Sequence, residues 1–183
     1  MNVFILELSL TRTLRFRIIE LLASELDELI TISEISKRLK VAYSHAHKFV
    51  QEMNAEGVLK IKKLGRVSVV QLNFEDQAIF GYLALIEYNK TKKWLNENPW
   101  AQRIYDKIKT KSGLSDLTDD IHCILYYKNK IIIVKPKKIL DFDFKTFKLR
   151  DVITIDELKQ NREKYRGVII LHGAEKYWQL LGK

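Results

Sequence analysis

The sequence predicts an α+β protein with a helical N-terminal part closed by a β-hairpin, a long linking helix, and a small C-terminal α+β domain. Three observations carry this expectation. Apolar residues recur at three- and four-residue steps in successive segments from Leu14 onward. Two pairs of short β-rich runs flank turn signals: "VLKIKK" and "VSVVQL" around "LGR", then "IHCILYY" and "KIIIVKP" around "KN". Only 7 Gly and 2 Pro occur in 183 residues, which argues against a turn-rich β-sandwich and against long disordered linkers.

The elements follow in order. Residues 1–10 read as a short strand or extended arm. "TRTLRFRIIELLAS" places Leu14, Ile18, Leu21 and Leu22 on one helical stripe, with Arg12, Arg15 and Arg17 mostly off it. "ELDEL" is a polar connection. Thr31 and Glu34 then have capping-box spacing, with Ile30 and Ile35 at the positions of a hydrophobic staple, so a second helix starts near Ile32 and turns Ile35 and Leu39 inward. "KVAY" breaks the pattern. A third helix starts near Ser44, an expected N-cap, and carries Ala46, Phe49, Val50 and Met53 on its core face until Gly57 stops it. The first hairpin follows.

From residue 75 to about 97 runs one long helix, apolar over more than half its circumference through Ala78, Ile79, Tyr82, Leu83, Leu85 and Ile86. So wide a stripe predicts packing on a second domain or a partner chain. Asn98 and Pro99 have the spacing of a cap and first helical residue for "NPWAQRIYDKIKT". After the second hairpin come a strand at "DVIT", a helix over "TIDELKQNREKY" with a second capping box (Thr154, Glu157), a buried "GVIIL" and a terminal helix "AEKYWQLL". The expected division is residues 1–73, a helical linker or dimerisation region at 74–111, and a small α+β domain at 112–183. No internal repeat or low-complexity tract is present.

Composition narrows the function classes. The net charge of +9 favours a polyanionic partner or an anionic membrane surface, the plainer reading being a Lys-rich solvated surface. Residues 1–73 hold 11 Lys and Arg against 8 Asp and Glu, and residues 74–183 hold 21 against 15, so the surplus is spread along the chain. Cys123 is the single cysteine, which excludes an internal disulfide and predicts a cytoplasmic location. No 18-residue apolar run occurs, and "MNVFILELSL" lacks a basic leader, so neither a membrane span nor a signal peptide is expected.

The order helix, short helix, turn, helix, basic hairpin over about residues 11–73 resembles the winged helix-turn-helix fold of DNA-binding regulators of archaeal type. Its most specific part is "M-x-x-x-G-V-L" at the end of the third helix, running into a Lys-rich hairpin with Arg66 at the turn. The resemblance implies a third helix lying in the major groove. Its outward residues are Tyr43, Ser44, His45, His47, Lys48 and Gln51; Ser, His and Gln suit base edges, and Lys48 a guanine edge or a phosphate. Lys60, Lys62, Lys63 and Arg66 in the wing suit phosphates or an adjacent minor groove. Read without the resemblance, these are ordinary exposed residues or a surface for protein contact.

Other constellations carry less chemistry. Lys128, Lys130, Lys135, Lys137 and Lys138 form either a second phosphate-tracking patch or, as the more expected reading, protection of an exposed strand edge. His45 and His47, two apart on a helix, point in nearly opposite directions and share no metal ion. Cys123 reads as a core residue rather than a nucleophile, with no base placed beside it. Asp141 and Asp143 in "DFDF" have the spacing to hold Mg²⁺ on a strand, although two solvated aspartates in a surface turn are the more expected reading. The segment "VITIDELKQNREKYRGVIILHGAEKYWQLL" resembles the end of small nucleotidyltransferase-like domains. That family places Gly-Ser before its Asp-x-Asp pair; here the nearest small pair is Ser112 and Gly113, reversed and distant. The resemblance therefore implies a degenerate, non-catalytic domain used for regulation or dimer contacts.

The leading expectation is a non-enzymatic, sequence-specific double-stranded DNA-binding regulator acting as a homodimer, without cofactor or metal, and answering to an effector or protein partner. The alternatives are a nucleotidyltransferase-like enzyme and an antitoxin-like winged helix used for protein contacts. Nothing in the residues separates a DNA from an RNA ligand.

Overall fold

The computed structural model describes residues 13–110, 121–136, 150–165 and 167–182, and these form seven helices and two small sheets, a mixed α+β architecture. The chain divides into two units, Met1–Ile86 and Glu87–Lys183. The division falls within the long helix.

In the first unit, α1 (Leu14–Ser24) buries Phe16, Ile18, Ile19, Leu22 and Ala23. Arg15 and Arg17 are half-buried rather than fully exposed. Each has a partner: Arg15 pairs with Glu56, and Arg17 Nη2 donates to the Leu39 carbonyl at 2.6 Å. The second contact satisfies an end carbonyl of α2 (Ile32–Leu39), a service long cations often perform at helix C-termini. The capping box of α2 is present. The Glu34 amide donates to Thr31 Oγ1 (3.2 Å) and the Thr31 amide to the Glu34 carboxylate (2.7 Å). The Thr31 amide, and after it the Thr31 hydroxyl donating to the same oxygen at 2.9 Å, hold the Glu34 carboxyl below the usual carboxylate range. Ile30 and Ile35, at staple positions, are both buried, and Leu39 is half-buried.

Just before α2, Ile30–Thr31 form β1, a strand the sequence pattern does not announce because two residues carry no period. It pairs antiparallel with β3 (Val67–Leu72), which also pairs antiparallel with β2 (Leu59–Leu64), giving the order β1-β3-β2. The core between helices and sheet holds Ile18, Ile19, Ile35, Ala46, Val50, Met53, Leu59, Val69 and Val70. The first half of α4 (Ala78–Glu97) buries Ile79, Phe80, Leu83 and Ile86, and Tyr82 meets Phe16 edge-on with ring centroids 5.3 Å apart.

In the second unit, Thr91 on α4 donates its hydroxyl to the Ile170 carbonyl (2.9 Å), and buried Glu87 pairs with Lys90 (3.1 Å). Pro99 opens α5 (Pro99–Thr110), but Asn98 does not cap it through its side chain: the amide donates back to the Trp94 carbonyl at 2.9 Å. The sheet runs β6-β5-β4-β7, from β4 (Cys123–Tyr127), β5 (Lys130–Lys135), β6 (Arg150–Thr154) and β7 (Ile169–His172). Only β5 and β6 pair in parallel. Lys128 and Asn129 turn the β4–β5 hairpin with both φ positive (46° and 63°), as a tight primed turn requires. Ile121, just before β4, and Ile124, Ile131, Ile133 and Leu171 of β4, β5 and β7 form a core cluster against which Trp94, Tyr105 and Tyr126 pack.

Here the structure corrects the reading of the β5 lysines. The strand is central, so they guard no edge. Nor do those described gather into one patch: Lys135 is buried, Lys130 pairs with Asp151 (3.2 Å), and Lys128 lies over the Tyr127 ring. The helix expected through Tyr165 is also shorter. It is α6 (Ile155–Gln160), opened by the Thr154–Glu157 capping box and followed by turns. Last comes α7 (Ala174–Leu181), burying Tyr177 and Trp178. Lys137, Lys138, Asp141, Asp143, Ser112 and Gly113 lie outside the described residues.

Candidate nucleic-acid interface

The exposed face of α3 (Tyr43–Ala55) is set by how the helix begins and ends. Lys40 terminates α2 in the left-handed region (φ 54°), and the Val41 amide returns to the Ser36 carbonyl at 3.0 Å. Val41 and Ala42 complete a tight turn, and α3 begins one residue before the expected Ser44 cap. Ala42 is the N-cap and makes no side-chain bond, while Tyr43 is already helical. At the far end Gly57 (φ 82°) closes a paired motif: its amide donates to the Asn54 carbonyl and that of Val58 to the Met53 carbonyl.

Between these ends Ala46, Val50 and Met53 are buried at four- and three-residue steps, and Phe49 is half-buried. The opposite side carries Tyr43, Ser44, His45, His47, Lys48 and Gln51, all exposed. Tyr43 and His47, one turn apart, bring their rings to 5.9 Å. This face therefore offers one phenol, one hydroxyl, two imidazoles, one ammonium and one carboxamide to whatever meets it.

The hairpin stands beside it. Asn54 Oδ1 accepts the Ile61 amide (3.1 Å), tying the last turn of α3 to β2. The strands run in unbroken register from Leu59↔Leu72 to Leu64↔Val67, and Gly65 and Arg66 form the turn. Gly65 takes φ 62°, a conformation a side chain resists. The four wing cations are not equivalent. Lys60 is half-buried at the base and pairs with Glu75 at 2.5 Å. That bond and the nearby charge hold the Glu75 carboxyl below its ordinary range. Lys62, Lys63 and Arg66 are exposed toward the tip, and Lys63 and Arg66 have no ion pair among the described residues. Sequence reading missed that Leu64 and Val67 are also exposed there. Their position beside Gly65 was the available signal, since a hairpin tip extends past the core that would cover them.

Elsewhere the chemistry is sparse. Among the described residues no group of three or more His, Cys, Asp or Glu could hold a metal ion. Burial pushes the Cys123 thiol up to about 12, leaving it protonated and unreactive at neutral pH. No helix among the described residues is long and apolar enough to cross a membrane. No family model, curated protein or solved structure matches the chain.

Proposed function

We propose that the N-terminal unit is a winged helix-turn-helix and that the chain is a sequence-specific double-stranded DNA-binding protein, a cytoplasmic transcriptional regulator acting as a homodimer. The observation that carries this reading is the juxtaposition of an exposed polar helix face, Tyr43 to Gln51, with a basic hairpin bonded to the same helix through Asn54 and Ile61. A helix of this width enters the major groove, where Ser44, His45, His47 and Gln51 have the donors and acceptors to read base edges. Lys48, Lys62, Lys63 and Arg66 supply the cations for phosphates, a sequence-independent contribution that releases counterions. One such module contacts few base pairs, which is the reason for the dimer: two copies reading two half-sites multiply specificity and impose a palindrome.

Selection of bound fragments from genomic duplex DNA tests the reading. Enrichment of a palindromic site, lost when Lys48, Lys62 and Arg66 are replaced by Glu, is the expected result. No enrichment at low salt overturns it. Exposed Tyr43, Leu64 and Val67 favour a protein-contact role as the second reading, and a gel shift unchanged by the triple replacement would support that one.

A further inference from the structure

Leu64 and Val67 face each other across the last rung of the hairpin, and each is 49% exposed. Directly opposed residues of an antiparallel pair lie on the same face of the ribbon, and alternation adds Lys62 to that face. Lys63 and Ser68 occupy the other face, with Arg66 in the turn. A Cβ built on Gly65 would meet nothing within 4 Å, so the turn between the two apolar residues is itself uncovered. A single exposed Leu needs no explanation. Two branched apolar side chains opposed at the end of a ribbon, with exposed Lys62, Lys63 and Arg66 beside them along the chain, do: the cations suit a phosphate backbone, and the apolar pair suits a surface within that backbone.

We infer that the Leu64–Val67 tip is a wedge that enters the minor groove of duplex DNA and inserts at a base step, bending the helix away from it. This deepens the DNA-binding reading and rests on it. Lys62, Lys63 and Arg66 hold the two phosphate backbones flanking the groove, while Leu64 and Val67 replace the stacking contacts of the opened step with apolar contacts of their own. Unstacking is unfavourable by itself; burying the two side chains and bringing more phosphates within reach of the cations offsets it. Pyrimidine–purine steps, the most readily unstacked, are the preferred insertion points. The wing thereby contributes sequence preference through deformability, without a hydrogen bond to a base.

The test is energy transfer between dyes at the two ends of a duplex of about 30 base pairs with central TA steps, a length over which a kink changes the end-to-end distance measurably. The wild-type chain is expected to shorten that distance. The Leu64→Ser/Val67→Ser protein is expected to bind about tenfold more weakly, with an unchanged salt slope because every cation remains, and to leave the duplex straight. Leu64→Ala/Val67→Ala, milder still at exposed positions, should behave alike, and circular dichroism of both confirms that the fold is retained. DNA that stays straight under the wild-type protein, or bends equally under both double variants, overturns the wedge while leaving the DNA-binding reading intact. A wild-type chain that binds no duplex at low salt overturns both.

Discussion

Asn54, on the last turn of α3, accepts the Ile61 backbone amide at 3.1 Å, so the exposed helix face and the basic hairpin are held in one fixed relation. The bond is short-range in sequence and adds a polar tie to the buried contact that Val50 and Met53 of α3 and Leu59 of β2 make in the core. Asn54→Ala removes the acceptor and is expected to cost about 0.5–1 kcal/mol of stability. On the DNA-binding reading it also lowers affinity by more than its stability cost, whereas Asn54→Asp, which keeps an acceptor oxygen, lowers it less. Paired urea melts and binding titrations separate the two effects.

The wing cations should respond unequally to substitution. Lys63 and Arg66 are exposed near the tip, while Lys60 already pairs with Glu75. Replacing Lys63 or Arg66 by Met is expected to reduce the slope of log affinity against log salt by about 0.9 each, one phosphate contact apiece. Lys60→Met should leave the slope nearly unchanged. Equal loss from all three would show that the Glu75 pair opens on binding.

The second unit carries two histidines that favour the neutral form. Burial depresses the His122 pKa first. The bond from its Nε2 to the Lys176 carbonyl (2.9 Å) partly offsets this, and the Lys176 and Lys159 ammonium groups depress it further. His172 is depressed by burial and then by Lys176. Below the ordinary imidazole value of about 6.5 the unfolded chain binds protons that the folded chain resists, so stability is full above that pH and falls as the solution is acidified. Melting temperatures measured from pH 8 to pH 5 should decline below about 6.5, and His122→Asn with His172→Asn should flatten that decline.

Gly173 is irreplaceable on two grounds. It has φ 72°, and a Cβ there would lie 2.4 Å from the His122 carbonyl oxygen and 3.0 Å from Cys123 Cα. Backbone cannot yield as a flexible side chain does. Gly173→Ala is expected to cost about 2–4 kcal/mol, the sum of left-handed strain and overpacking. Because Cys123 is fully buried with its thiol raised, the same substitution should accelerate its labelling by a disulfide reagent under native conditions. Labelling as slow as in the wild type would show that the site relaxes around the methyl group.

Much of this molecule was legible before any coordinates because its signals are local. Thr31 with Glu34 and Thr154 with Glu157 each form a capping box within one helical turn, and both are present. The Gly65 and Lys128–Asn129 turns close hairpins between adjacent runs, and the α3 face separates Ala46, Val50 and Met53 from the exposed side chains by periodicity alone. Ser44 failed as a cap because Ala42 already stands at the boundary; Asn98 does stand immediately before Pro99, where its backbone carbonyl accepts the Ala101 amide and its side-chain amide donates to the Trp94 carbonyl.

What the sequence determined by itself is therefore most of the elements, though not β1 or the end of α6, and the outward residues of α3, since periodicity, caps and turns act within a few residues of chain. Only the tertiary structure decided that Ile30–Thr31 is a strand, that β5 is central, that Lys60 is tied to Glu75 while Lys63 and Arg66 are not, and that Leu64 and Val67 stand uncovered. Each of those depends on which distant backbone or side chain arrives alongside, and pairing between remote segments leaves no period in the chain that makes it.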